Sequence, residues 1–198
     1  MRRPSPAWFP GVILAVTVVL LLAAVLVPGA DQFDDKGWAV RLVAYPALML
    51  VAPAIWWLVR GRRGAGPAPY VAFGLIMAPF LSDTAANWLD LFRKVGWWDD
   101  LSHFAHWFLL CTGIGLLVAP HVRPRWLVVP LVAWMGSALA LGWELGEYAL
   151  FIGAGKEAGG AYRDTLGDES LGTTGALVAG LLVWWWTSRQ STKRTLTG

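Results

Sequence analysis

Long apolar runs separated by short polar segments dominate the pattern of the chain. Six of these runs approach or exceed the length of about 20 residues that an α-helix needs to cross a hydrocarbon layer about 30 Å thick. The pattern therefore predicts an all-α fold, a polytopic membrane helix bundle with about six transmembrane helices. The predicted spans are Phe9–Val27, Trp38–Val59, Tyr70–Phe92, Leu101–Val118, Trp126–Phe151 and Leu171–Trp186.

The composition agrees with a membrane-embedded chain. Of the 198 residues, 57% are hydrophobic and 15% are charged, whereas a soluble domain carries about 25% charged residues. We expect one integral membrane domain over 1–198, with two N-terminal spans in 1–66 and a core at 70–187. The first apolar run is longer than the ~7–15 residues of a signal peptide and lacks a clear cleavage site, so we interpret it as a retained helix.

The charged residues divide between the two sides of the predicted bundle. Basic residues lie at alternate span ends, which are cytoplasmic by the positive-inside rule, so both termini are expected inside. All thirteen Asp and Glu residues fall on the opposite, extracytoplasmic side. Membrane lipids are the expected partners, and the lack of a basic groove with stacking aromatics argues against nucleic acid. The basic ends contain Arg2, Arg3, Arg60, Arg62, Arg63, Arg123, Arg125, Arg189, Lys193 and Arg194.

Polar side chains recur at helical spacing in the outer parts of four consecutive predicted spans. They are Asp83, Asn87 and Asp90, then His103 and His106, then Glu144 and Glu147, and finally Asp164 and Asp168. A charge near the middle of a bilayer costs on the order of 3 kcal/mol. These groups should therefore converge on one another, on a cation or on water. We predict a polar pocket that opens to the extracytoplasmic side, with Asp99 or Asp100 at its rim.

The mixture of residue types indicates a metal centre. Histidines and carboxylates from separate helices form metal sites in helix bundles, and this donor set suits Zn, Mn or Fe better than Ca or Mg. A bound ion of this kind activates water for hydrolysis. The prediction is a metal-dependent hydrolase or transferase acting on lipid or cell-envelope substrates. The candidate metal ligands are Asp83, His103, His106, Glu144, Glu147 and Asp168, and the candidate catalytic residues are His103, Glu144, Glu147 and Asp164.

A second interpretation makes the same residues structural. Glu144 and Glu147 would neutralise a protonated histidine or Arg163 and lock helices together, in a non-enzymatic accessory or scaffold protein of the envelope. Asp164 would be a helix N-cap. Exposed loop ends would explain the others, namely Asp90, Asp99 and Asp100. A transporter is disfavoured, because the inner halves of the spans offer little polar lining.

Two glycine-containing segments carry further expectations. Gly142 and Gly146 form a G-x-x-x-G motif, which favours close helix packing and a homo-oligomer contact. The glycine-rich segment Gly153–Ser170 is long enough to form a mobile flap on the outer side. Glu157 and Glu169 are interpreted as ordinary residues of this outer loop.

These motifs resemble the YjdF-like family of uncharacterised bacterial inner-membrane proteins. That family has a D-x-x-x-H-F block, an E-x-x-E-W/Y block and a final block with aromatic, aspartate and glycine–alanine positions. The corresponding residues are Asp99 or Asp100, His103 and Phe104, then Glu144, Glu147 and Tyr148, then Tyr162, Asp164, Asp168, Gly175 and Ala176. The chain is also similar, more weakly, to VanZ-like proteins. The resemblance implies a multi-pass protein of the bacterial plasma membrane and supplies no reaction.

Overall fold

The structure is a computed structural model of the chain and describes residues 6–27, 36–59, 67–149 and 158–196. Within these ranges all regular structure is helical, which confirms the prediction of an all-α fold. The helices are α1 Trp8–Leu26, α2 Trp38–Val59, α3 Tyr70–Trp88, α4 Leu91–Lys94, α5 Trp98–Val118, α6 Val128–Glu147 and α7 Ala158–Leu196, with two 3₁₀ turns at Ala119–His121 and Arg125–Leu127. The chain divides into two compact units, Met1–Trp98 and Asp99–Gly198.

Four helical segments among the described residues are long and apolar enough to cross a membrane. They are Trp8–Leu26, Trp38–Val59, Trp98–His121 and Arg125–Glu147. Two further predicted spans correspond to α3 and α7, whose apolar residues are interrupted by polar ones. In α3 the interrupting residues are Ser82, Asp83, Thr84 and Asn87. The structure thus supports a helical membrane protein with four candidate spans.

The first unit is built from α1, α2 and α3, which all contact one another. Phe9 of α1 lies against Gly74 of α3, at a point where any side chain on residue 74 would collide with its ring. The indole Nε1 of Trp88 donates a hydrogen bond to the carbonyl oxygen of Leu20 at 3.0 Å. The buried stripe of α1 consists of Pro10, Ile13, Thr17, Leu21 and Ala24. Helical spacing of small and apolar residues therefore decides which face of α1 meets α3.

The second unit packs α7 against α5 and α6 through small residues. Gly136 of α6 faces Ala176, and Gly175 of α7 faces the main chain at Phe104. Glycine allows helix backbones to approach closely, which is how helices associate when lipid gives no hydrophobic gain. The central apolar cluster is Cys111, Ala119, Val128, Val132, Ala176, Ala179 and Val183. This close packing sets the register of α7 relative to α5.

The third predicted span ends earlier than expected. The apolar pattern predicts a helix to Phe92, but α3 stops at Trp88 and a short separate helix, α4, follows. Asp90 lies between them with φ of 58°, in the left-handed region that ends a right-handed helix. Asp90 is also buried, so its interpretation as an exposed loop end was wrong.

The glycine-rich outer segment is partly helical. Residues from Ala158 onward belong to α7, so the prediction of a flap reaching Ser170 was wrong for 158–170, and 150–157 lie outside the described residues. Once the apolar part of α7 is helical, each added turn costs little because elongation gains one hydrogen bond per residue. Asp164 therefore lies inside a helix, and its interpretation as an N-cap was wrong.

The G-x-x-x-G face of α6 has no neighbour in the described part of the chain. A Cβ added at Gly142 or at Gly146 would meet nothing within 4 Å. The close packing expected at these glycines is therefore not made by the residues described. Contact with a second copy through Gly142 and Gly146 stays a prediction.

Candidate metal centre

The first turns of α5 and the N-terminal half of α7 bring three metal-ligating side chains together. Asp99 and His103 lie four residues apart on one face of α5, and Asp168 approaches from α7. His103 Nε2 is 3.7 Å from Asp99 Oδ1 and 3.5 Å from Asp168 Oδ1. Each residue offers one ligand atom, and these atoms all lie within 4.8 Å of one another.

The register of α7 relative to α5 determines where these three side chains meet. Gly172 of α7 lies against the ring of Trp107, and Gly175 lies against the main chain of Phe104. Asp168 is four residues before Gly172, and His103 is four residues before Trp107. Since one helical turn takes about 3.6 residues, the glycine contacts carry Asp168 to the level of His103.

The group is buried on one side and open on the other. The side chains of His103 and Asp168 are 14% and 8% exposed, whereas that of Asp99 is 45% exposed. Asp99 lies in the first turn of α5, where the helix dipole favours a negative charge. Access from water is therefore by way of Asp99.

A fourth carboxylate adjoins the group from α6. Glu144 is buried, forms a side-chain hydrogen bond with Thr165 of α7, and interacts electrostatically with His103. Glu169 acts electrostatically on Glu144, and its Oε1 is buried without a hydrogen bond in the described part of the chain. Thr165 and Glu169 were missed because their segment was interpreted as a loop. The sequence pattern that could have identified both residues is their helical spacing relative to Asp168 and Gly172.

Negatively charged side chains are in excess around the three-residue group. Asp168 is buried in α7, and several neighbouring carboxylates act on it electrostatically. Burial and nearby negative charges both disfavour the charged form of a carboxylate. Those neighbours are Asp99, Glu144, Asp164 and Glu147. A cation here would be stabilised by several carboxylates at once.

The remaining candidates of the second unit lie outside the three-residue group. His106 is half-buried one turn further along α5, and Glu147 is half-buried at the end of α6. Asp164 and Asp100 are exposed on α7 and α5. The roles predicted for His106, Glu147 and Asp164 stay predictions.

Asp83, also a predicted ligand, lies in the first unit beside a cation. Its Oδ2 forms an ion pair with Arg41 Nη1 and accepts a hydrogen bond from Tyr45 Oη at 2.6 Å. Asn87 Nδ2 donates to Asp83 Oδ1 at 3.2 Å. These partners already neutralise the carboxylate, and its role as a metal ligand stays a prediction. Arg41 was missed, because a single basic residue inside an apolar run gives no sign of its partner.

Asp90 is the centre of a second ion-pair network in the first unit. Its Oδ1 lies 2.7 Å from Arg93 Nε and 3.0 Å from Lys36 Nζ. The hydrogen bond from Arg93, assisted by the hydrogen bond and charge of Lys36, lowers the pKa of Asp90 to about 2. Lys36 Nζ also donates to the carbonyl oxygen of Asn87 at 3.1 Å, which links α3 to the residues before α2.

This network predicts a pH dependence of stability. The folded-state pKa of Asp90 lies below its ordinary value of 3.8, so its ion pairs stabilise fully above about pH 4 and are lost as the pH falls toward 2. We expect Asp90→Asn to lower the melting temperature at pH 6 and the deficit to shrink at pH 3. Asparagine tolerates the left-handed backbone, so only the charge changes. A deficit independent of pH would contradict this account.

Comparison with protein-family models assigns the chain to a family. The family model described as "Predicted membrane protein (DUF2238)" matches residues 13–189. The chain belongs to the DUF2238 family. The resemblance to the YjdF-like family is thereby confirmed, since it corresponds to the same domain, whereas the similarity to VanZ-like proteins is unsupported. No curated protein and no solved structure matches the chain.

Two of the three distances within the three-residue group of this DUF2238 protein can be compared with those of a zinc-type site. Ligand atoms about 2.1 Å from a tetrahedral ion are separated by about 3.4 Å. The distances of 3.5 and 3.7 Å from His103 Nε2 to the two carboxylates are close to that separation. Three protein ligands leave one position for water or substrate, as in catalytic rather than structural zinc sites.

Proposed function

We propose that this DUF2238 protein binds a divalent transition metal ion, Zn, Mn or Fe, through Asp99, His103 and Asp168. The observation that carries the proposal is the convergence of one imidazole and two carboxylates from two helices, with ligand atoms within 4.8 Å. Burial of Asp168 beside further acids supports a cation, because a carboxylate without one is costly there.

The proposed setting is the extracytoplasmic side of a bacterial plasma (inner) membrane. In this topology α3 and α7 complete six spans and both termini are cytoplasmic. The distribution of charge supports it, since ten of the sixteen basic residues lie at the span ends opposite the acidic residues. The metal centre then lies just beneath the outer headgroups, with Asp99 facing water.

The proposed reaction class is metal-dependent hydrolysis or group transfer on a lipid or cell-envelope substrate. A metal ion at such a site polarises a bound water or substrate oxygen. Glu144 is the group best placed to accept a proton, because it is buried beside His103 and held by Thr165. An opening at the membrane surface suits substrates whose reacting group lies at the headgroup level.

Metal analysis of the purified protein tests the proposal. We expect a stoichiometric amount of metal after reconstitution with Zn, Mn or Fe and removal of loose ions. Asp99→Asn and His103→Ala should lower metal affinity at least as much as the roughly 10–100-fold that loss of an outer-shell partner costs. The matched controls are Asp100→Asn, the exposed neighbour of Asp99, and His121→Ala in the 3₁₀ turn that follows α5.

Two results would contradict a metal centre. One is a wild-type protein that retains none of the three metals above the level of the His103→Ala variant. The other is equal metal loss in Asp99→Asn and Asp100→Asn, because only Asp99 belongs to the group. Melting temperatures of all variants separate loss of ligands from loss of fold.

A structural role is the second candidate, favoured by the contacts of His103 with carboxylates on two helices. A protonated His103 between Asp99 and Asp168 would hold α5 to α7 without any metal. The protein would then be a non-enzymatic accessory or scaffold of the envelope. In that case His103→Ala lowers the melting temperature while metal content is nil in both proteins. Transport is less favoured, since the inner halves of the predicted spans offer little polar lining.

A further inference from the structure

Two arginine side chains contact α7 at the end of the second unit remote from the proposed metal centre. Arg125, in the turn between α5 and α6, donates through Nη1 to the carbonyl oxygen of Thr187 at 3.1 Å. Two residues further along α7, the guanidinium of Arg189 stacks over the ring of Trp185 at 4.1 Å from its centroid. The first contact ties the turn to α7, and the second holds a cation against an aromatic face.

The two segments that meet here are basic and contain no acidic residue. The sequence has no Asp or Glu between Asp100 and Glu144, and none after Glu169. At this end of the second unit the sequence supplies His121, Arg123, Arg125, Arg189, Lys193 and Arg194. An anion is therefore the complementary ligand, and no carboxylate of these segments can serve as one.

Two exposed tryptophans, Trp126 next to Arg125 in the sequence and Trp185 beneath Arg189, give the depth at which such an anion would lie. Trp126 is 57% exposed, and Trp185 is 45% exposed on the surface of α7. Tryptophan is enriched at the headgroup level of membrane proteins, where its amphipathic ring meets both lipid and water. Arginine stacked beside them is placed among lipid phosphates, which its planar fork binds through paired hydrogen bonds.

We propose that Arg125, Trp185 and Arg189 form a binding site for the phosphate of an anionic glycerophospholipid. The phosphate lies between the two guanidinium groups, and the acyl chains run along the exposed apolar side chains of α7. Exposed residues available for that contact include Leu177, Val178, Leu181, Leu182 and Trp184. The site is independent of the metal centre, which lies at the opposite ends of α5 and α7.

Native mass spectrometry of the full chain in detergent tests this site. The probes are phosphatidylglycerol and, as a zwitterionic reference, phosphatidylcholine with the same acyl chains. We expect tighter binding of phosphatidylglycerol, and Arg189→Gln should weaken it about fivefold, as expected for one basic residue at an anionic surface. Arg189→Lys should weaken it less, because the charge stays while the planar fork is lost.

Arg163→Gln is the matched control. Arg163 is exposed on the same helix near the metal centre, so the variant loses the same charge at the other end. Equal effects of Arg163→Gln and Arg189→Gln would overturn the site in favour of general surface charge. Equal binding of both lipids would overturn it as well, and so would displacement of the lipid by an equal concentration of inorganic phosphate. Arg189 is exposed, so its substitution should leave the melting temperature unchanged.

Discussion

Replacement of Gly175 by alanine is expected to destabilise the second unit and to separate the proposed metal ligands. A Cβ at residue 175 would lie 2.5 Å from the carbonyl oxygen of Phe104 and 3.1 Å from the amide nitrogen of Phe108. Both are main-chain atoms of α5, which cannot rotate away as a side chain could. Overpacking in a filled interior costs about 1–3 kcal/mol, and we expect the upper part of that range because the helices themselves must part.

Gly167→Ala is the matched control for this prediction. Gly167 lies in α7, as Gly175 does, with nothing within 4 Å of its added Cβ in the described structure. Alanine is favoured over glycine inside a helix by about 0.8–1.0 kcal/mol, so this variant should be as stable as the parent or more stable. Thermal unfolding in detergent and metal content are the two measurements. If both alanine variants unfold alike and keep their metal, the α5–α7 packing described above is wrong.

Helix positions in this protein are largely readable from sequence, because hydrocarbon imposes both length and polarity on a span. The predicted bounds Trp38–Val59 are those of α2, and Leu101–Val118 lies within α5. The end of α3 was misplaced for a physical reason. Its break at Asp90 depends on Lys36, distant in the sequence, and on Arg93, and no local pattern reveals that pairing.

The candidate centre was only partly predictable from the same pattern. His103, Glu144 and Asp168 could be found because polar groups among apolar residues must have partners, and each lies on a helix at the same predicted level. The choice between Asp99 and Asp100 could not be made, since either is within one turn of His103. Only the packed register of α5 against α7 selects Asp99.

The partners of Asp83 show where single-helix patterns fail. Helical spacing identified Asp83 and Asn87 as one polar face of α3. Arg41 and Tyr45 also share a face, of α2, but an isolated arginine near a span end is ordinary in membrane proteins. The packing of α2 on α3 decides which face of α2 contacts the polar face of α3. The residues that determine this packing are spread over both helices.

Replacement of Arg41 by methionine is expected to have the largest effect in the first unit. Arg41 and Asp83 are 15% and 17% exposed at their side chains, so removing the cation leaves a largely buried carboxylate without its countercharge. Breaking a buried ion pair on one side costs about 3–5 kcal/mol, and partial exposure places this pair near 3 kcal/mol. Tyr45→Phe removes only a hydroxyl donor to Asp83 Oδ2 and should cost about 1 kcal/mol.

The double variant Arg41→Met with Asp83→Asn separates the charge from the other effects of substitution. When both charges are gone, no uncompensated ion remains, and much of the stability lost in each single variant should return. Chemical unfolding in detergent of the parent, the two single variants and the double variant closes a thermodynamic cycle. A coupling energy well above zero is expected, whereas strictly additive losses mean that Asp83 is neutralised by something other than Arg41. If Asp83 instead ligated a metal ion, Asp83→Asn would lower the metal content of the protein, and Arg41→Met would leave that content unchanged.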